Sequence, residues 1–284
     1  MKTVLLWCLL WVATVQAQDI VRYDFQNMAG RKDTLEAVIR VPPGDAPRKA
    51  LIILHHAGGW GEGTTRQYAE YFAERGFVTL EPRMFNVRPR RSSDYLGEVF
   101  GALKYLAAHP AVDKTQISVM GLSLGASLAI FSATQWAQDK LGEAGLRLKS
   151  LAALYPVCWT HTATIQRRLP GRFKLSDVPE DFEDKWAGIA LRLFVGTQDD
   201  YDDRDPQACP DFIAAIPDAK QRSMTTLVQY PGATHGWDQQ SRSFPEHVAC
   251  KGRGCTNHNV HNPEVTAKAK EDLLKFLSES TPIK

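Results

Sequence analysis

Gly121-Leu122-Ser123-Leu124-Gly125 sets a serine two residues from a glycine on either side. An apolar, β-prone run, Gln116-Ile117-Ser118-Val119-Met120, leads into it, and a small-residue helical stretch, Ala126-Ser127-Leu128-Ala129-Ile130-Phe131, leads out. A strand that turns sharply into a helix with serine at the apex holds the hydroxyl out at the sheet's edge. The glycines give that turn room, because a Cβ at either place would meet the neighbouring strand or helix. The chemistry open to such a serine is nucleophilic attack. A serine hydroxyl is a weak nucleophile at neutral pH, so it needs a base to take its proton. The base needs an acid to fix its tautomer and stabilise its charged form.

Candidates for both stand further along the chain, each just after a strand-like run. Leu191-Arg192-Leu193-Phe194-Val195-Gly196 is followed by Thr197-Gln198-Asp199-Asp200, and Thr225–Tyr230 by Pro231-Gly232-Ala233-Thr234-His235-Gly236. Catalytic groups of open α/β sheets lie beyond the carboxyl ends of strands, which is where Ser123, Asp199 and His235 fall. Asp199 is the expected acid because it comes soonest after Gly196, with Asp200 as the alternative. A tetrahedral intermediate also needs two backbone N–H donors. Leu124, next after the serine, is one. The other is expected from His55-His56-Ala57-Gly58-Gly59-Trp60, at Ala57 with Gly58 as the alternative. His55 and His56 are adjacent on a strand and point to opposite faces, which makes them a poor metal chelate.

These groups must be positioned by a framework, and the pattern supplies one. Strand-like runs are Ile20–Phe25, Ala37–Val41, Leu51–His55, Phe77–Glu81, Ile117–Met120, Ser150–Tyr155, Leu191–Val195 and Thr225–Tyr230. The central runs are continuously apolar, as buried parallel strands are. Helical patterns cover Thr64–Arg75, Asp94–Ala108, Leu124–Trp136, Pro206–Ile216 and Glu264–Ser278. This alternation predicts an α/β sheet covered on both faces, with the first two strands as an antiparallel edge. Two long connections stand outside it, 158–190 and 238–263, and connections of that length are usually lids or functional loops. With no internal repeat and no low-complexity linker, residues 18–284 are expected to form one domain.

The start of the chain reads as a leader. Met1-Lys2 is a short positive start, Val4 to Val12 is an apolar core too short to span a bilayer, and Val15-Gln16-Ala17 offers a cleavage site after Ala17. The expected mature protein is periplasmic or secreted, with no stable membrane anchor. Loss of Lys2 takes the formal charge from +2 to +1. That balance, 44% apolar and 23% charged residues, suits a globular protein and argues against a dedicated nucleic-acid surface. The densest basic patch, Arg88-Pro89-Arg90-Arg91, is short. Cys8 leaves with the leader, and the four cysteines that remain are expected to pair as Cys250–Cys255 and Cys158–Cys209, although spacing alone leaves three pairings open.

With these residues in place the chain resembles the dienelactone hydrolase family of α/β-hydrolases, from about the first strand to the last helix. The marks are Leu54-His55-His56-Ala57-Gly58-Gly59-Trp60, Val112-Asp113, Met120-Gly121-Leu122-Ser123-Leu124-Gly125 and Tyr155-Pro156-Val157-Cys158. Gly196-Thr197-Gln198-Asp199-Asp200 with Cys209, and Tyr230-Pro231-Gly232-Ala233-Thr234-His235-Gly236, complete the set. The resemblance implies an α/β-hydrolase fold with a mostly parallel sheet of about eight strands. It also implies a nucleophile–acid–histidine triad mapping onto Ser123, Asp199 and His235, in the order Ser, Asp, His, and hydrolysis of esters or lactones without a cofactor. The family's name-giving enzymes use cysteine as nucleophile, and their arginine has no clear counterpart here, Arg83 and Arg88 being the nearest. The expected activity is therefore that of a general exported serine esterase on small-molecule carboxylic esters, with Trp60, Trp159, Tyr201 and Trp237 lining its pocket. Other readings are a peptidase or amidase on the same machinery, a hydrolase-fold binding protein, and a zinc module built on Cys250, Cys255, His258 and His261.

Overall fold

The computed structural model describes residues 18–28, 30–84, 94–175 and 178–279. The leader and the Arg88–Arg91 patch lie outside them. In chain order the elements are β1 (Gln18–Gln26), β2 (Lys32–Arg40), β3 (Arg48–Leu54), α1 (Arg66–Ala73), β4 (Val78–Pro82), α2 (Asp94–Ala108), β5 (Val112–Leu122), α3 (Leu124–Ser132), α4 (Gln135–Leu141) and β6 (Ser150–Leu154). They continue with α5 (Cys158–Ile165), β7 (Ala190–Gly196), α6 (Ala208–Ala215), α7 (Ala219–Ser223), β8 (Thr225–Tyr230), β9 (Arg242–Glu246), β10 (Cys255–Asn259) and α8 (Pro263–Ser278).

Eight strands form one sheet in the order β1-β2-β4-β3-β5-β6-β7-β8, and β9 and β10 form a separate hairpin. β1 pairs antiparallel with β2, and β2 with β4; β4 through β8 pair in parallel. Period-two geometry explains the continuously apolar centre, since each face of the sheet has its own core. On β3, Ile52 and Leu54 join the core under α2 and α3, while Leu51 and Ile53 join the one under α1 and α8. The chain moves from β3 to β4 on one side and then to β5 on the other. That reversal opens a crevice beyond the carboxyl ends of β3 and β5, the place where such sheets bind ligands.

All eight expected strands are present, and the first two form the antiparallel edge. The expected helix Leu124–Trp136 is instead two helices, α3 and α4. Thr134 ends the first run by taking an extended conformation (ψ 144°), and its hydroxyl caps α4 by accepting from the Ala137 N–H. The Ala133 carbonyl is meanwhile drawn off by the Ala187 N–H at 2.8 Å. Helical periodicity could not show this break, because it depends on a contact with a distant loop. Both disulfides, Cys158–Cys209 and Cys250–Cys255, are formed. Two of the four ligands of the zinc alternative are thereby joined to each other, and a third, His258, bonds Asp200. Among the described residues no helix is long and apolar enough to cross a membrane.

Candidate active site

Ser123 sits between β5 and α3 with φ 52° and ψ −110°, a conformation rare for a residue with a side chain. Two glycines make this turn possible. A Cβ on Gly121 would fall 2.0 Å from the Gly125 carbonyl oxygen, and one on Gly125 would fall 2.5 Å from that of Leu54. The Ser123 N–H donates to the Leu154 carbonyl at 3.0 Å, which ties the turn to β6.

β7 and β8 end side by side, so their following loops meet. The Gln198 N–H donates to the Ala233 carbonyl at 2.8 Å. His235 Nε2 lies 2.8 Å from Ser123 Oγ, and His235 Nδ1 lies 2.8 Å from Asp199 Oδ2. The other Asp199 oxygen accepts the Tyr201 N–H at 2.9 Å. An acid bonded to Nδ1 fixes the tautomer that leaves Nε2 free to accept the serine proton. Asp200 faces away: it accepts from Arg204 and from the ring and backbone N–H of His258 on β10. Burial alone would raise its carboxyl, but those bonds outweigh it and hold Asp200 below the ordinary range. The two aspartates that sequence order could not fully separate thus have different partners.

The loop after β3 is set by its own histidines. His56 Nδ1 accepts the Gly58 N–H at 3.0 Å, which leaves Nε2–H to donate to Thr64 Oγ1 at 3.2 Å. His55 turns the other way, its ring bonding the His56 and Met84 carbonyls. Burial lowers its basicity. The Gly58 N–H is therefore engaged by a ring, which favours Ala57 over Gly58 as an oxyanion donor. Ala57 is exposed in this loop, and Leu124 is the first residue of α3.

The four aromatic residues expected around the pocket fare differently. Tyr201 packs on the His235 ring with centroids 4.1 Å apart. Trp60 follows the His55–Gly59 loop and lies under the Arg83 guanidinium, which also pairs with Glu36. Trp237 is fully buried in the core, edge-on to Tyr155 and Tyr230. Trp159 is buried too and packs against Phe173. A cavity of about 320 Å³, which reaches Leu124 next after Ser123 in the chain, is lined by other residues: one face of α3, residues of the 158–190 connection, and Val248.

Two acids have buried roles that the sequence did not assign: Asp238, and Asp202, which beside Asp199 reads as part of a solvated acidic loop but is buried. Asp238 accepts from the hydroxyls of Tyr68 (2.6 Å) and Tyr155 (2.8 Å), and Tyr155 packs edge-on against His235. Asp202 accepts the backbone N–H groups of Cys158 (3.1 Å) and Trp159 (2.8 Å) at the start of α5. With the Cys158–Cys209 bridge it fastens the 158–190 connection beside the acid loop. Burial, then the nearby Asp199 charge, push Asp202 up to about 8, against the pull of those two N–H groups. A raised folded value means that the native state keeps a proton the unfolded chain releases. Its stabilising contribution is complete below about pH 4, the ordinary carboxylate range, and is lost as pH rises through about 8. The stability of wild type relative to Asp202→Asn should therefore fall across that window in urea unfolding. A difference constant with pH contradicts the assignment.

No family model matches the chain. Part of it is 32% identical over 129 residues to the uncharacterised Escherichia coli protein YcjY, covering 40% of this chain and 41% of YcjY. Another match is 28% identical over 127 residues to the mouse peroxisomal succinyl-coenzyme A thioesterase, covering 43% of this chain and 29% of that protein. The chain thus spans less than half the length of these curated relatives. Solved structures match over more of it. A Klebsiella pneumoniae protein, described as a candidate dienelactone hydrolase, has a TM-score of 0.61 at 14% identity, covering 92% of this chain and 99% of that one. Thermogutta terrifontis esterase 2 phosphorylated by paraoxon has 0.59 at 19%, covering 91% and 94%. Est1E from Butyrivibrio proteoclasticus has 0.56 at 19%, covering 91% and 100%. Likeness at 14% and 19% identity speaks for architecture, and on that ground the chain has the α/β-hydrolase fold.

Proposed function

We propose that the protein is a serine hydrolase of small carboxylic esters, lactones included, acting through an acyl-enzyme on Ser123. The observation that carries this reading is the unbroken chain of two 2.8 Å hydrogen bonds from Ser123 through His235 to Asp199. His235 Nε2 takes the Ser123 proton as Oγ attacks the ester carbonyl. The Leu124 and Ala57 N–H groups hold the oxyanion, whose charge develops only in the tetrahedral state. As that state collapses, His235 gives its proton to the departing alcohol. Water, deprotonated by the same ring, then releases the acid. Thioesters are the second substrate class to test, because a mouse relative is named as a thioesterase.

The two disulfides support an oxidising compartment, periplasmic or extracellular, for a single mature domain of residues 18–284. The test is turnover of p-nitrophenyl acetate, its thioester analogue and a p-nitroanilide by the purified protein. Ester cleavage with little anilide cleavage is expected. Anilide cleavage at a comparable rate would instead make the protein an amidase.

A further inference from the structure

The cavity of about 320 Å³, bounded at one end of its α3 wall by Leu124, next after Ser123 in the chain, has a direction. α3 contributes Leu124, Ser127, Leu128 and Phe131, spaced i, i+3, i+4 and i+7, which puts them on one face of the helix. At the usual rise this stripe runs about 10 Å from Leu124, the residue next to the nucleophile, to Phe131. Phe131 meets the rings of His161 (5.2 Å) and Phe182 (5.1 Å), which line the same cavity. His161 is in turn bonded to Glu183 at 2.6 Å, with both side chains buried, so this end is a fixed wall. Leu169, Phe173 and Val178 face the stripe from the 158–190 connection. Two cations, Arg167 and Lys174, also line the cavity, and each already has a carboxylate, Asp184 and Glu180 respectively. The described lining thus offers apolar surface and no unmatched charge for an anionic group.

Resting on the reading of Ser123 as nucleophile, we propose that this cavity is an acyl pocket for neutral, apolar acyl groups of medium length. Phe131, backed by His161 and Phe182, sets the length limit. Burial of each added methylene strengthens transition-state binding until the chain meets that wall, and longer chains clash.

The test is kcat/KM for p-nitrophenyl esters from acetate to palmitate, and for alkyl acetates over the same lengths, in wild type, Phe131→Ala and Ser127→Leu. In wild type the acyl series should rise by about fourfold per methylene from acetate, peak, and then fall. Phe131→Ala should move the peak to longer chains and Ser127→Leu to shorter ones. Loss of folded protein lowers every length together, so opposite shifts of the peak cannot come from destabilisation. A flat acyl series, a peak unmoved in both variants, or length dependence only in the alcohol series overturns the proposal. Acetate turnover with a flat profile sinks the pocket alone, whereas a wild type inert to every ester sinks the Ser123 reading with it.

Discussion

Ser123→Ala is expected to lower kcat for ester hydrolysis by about 10⁶-fold, and His235→Ala by a similar amount. Alanine at 123 leaves no atom to form the acyl bond. Alanine at 235 removes the ring that stands 2.8 Å from Ser123 Oγ to take its proton, and so leaves the hydroxyl protonated. Because the two residues act in one step, the double variant should be no slower than either single one, with the oxyanion donors and binding leaving a residual rate above that of water. Additive losses in the double variant would mean that serine and histidine act in separate steps. Stability should change little at Ser123, which is only partly buried at the crevice.

Asp199→Asn is expected to lower kcat by about 10⁴-fold with KM little changed, because an amide at this position can hold the wrong tautomer of His235. Asp200→Asn is the matched control. It removes a carboxylate one residue away, of similar burial, that bonds Arg204 and His258 in place of the His235 ring. Its cost should fall on stability, about 1.5–3 kcal/mol for bonds to a charged group, with kcat near wild type. Steady-state kinetics with urea unfolding on both variants separates the roles. Equal losses of kcat would show that the acid loop acts as a unit and that the 2.8 Å contact to Asp199 has no special part.

The sheet and the crevice were legible in the sequence because they follow from local rules. Apolar runs of strand length, a serine between two glycines, and an acid and a base just past strand ends each carry their meaning within a few residues. The cavity was not legible. Its α3 wall reads as a small-residue helix until the 158–190 connection is laid against it, and nothing local says that Phe131 faces Phe182, fifty-one residues on. The same holds for Trp237, whose place directly after His235-Gly236 suggests a pocket but whose ring is taken up by Tyr155 and Tyr230 in the core. Asp202 and Asp238 were hidden for a related reason. A buried acid is recognised by its partners, here two backbone N–H groups and two tyrosine hydroxyls from distant parts of the chain.

The proposed mechanism requires Ser123 to be a nucleophile activated in place. Incubation with a fluorophosphonate followed by intact mass measures this most directly, because the reagent phosphonylates an activated serine and needs no knowledge of the natural substrate. One phosphonyl adduct on wild type and none on Ser123→Ala is the predicted result. A wild type that stays unmodified, or a Ser123→Ala variant that still takes up the label, contradicts it.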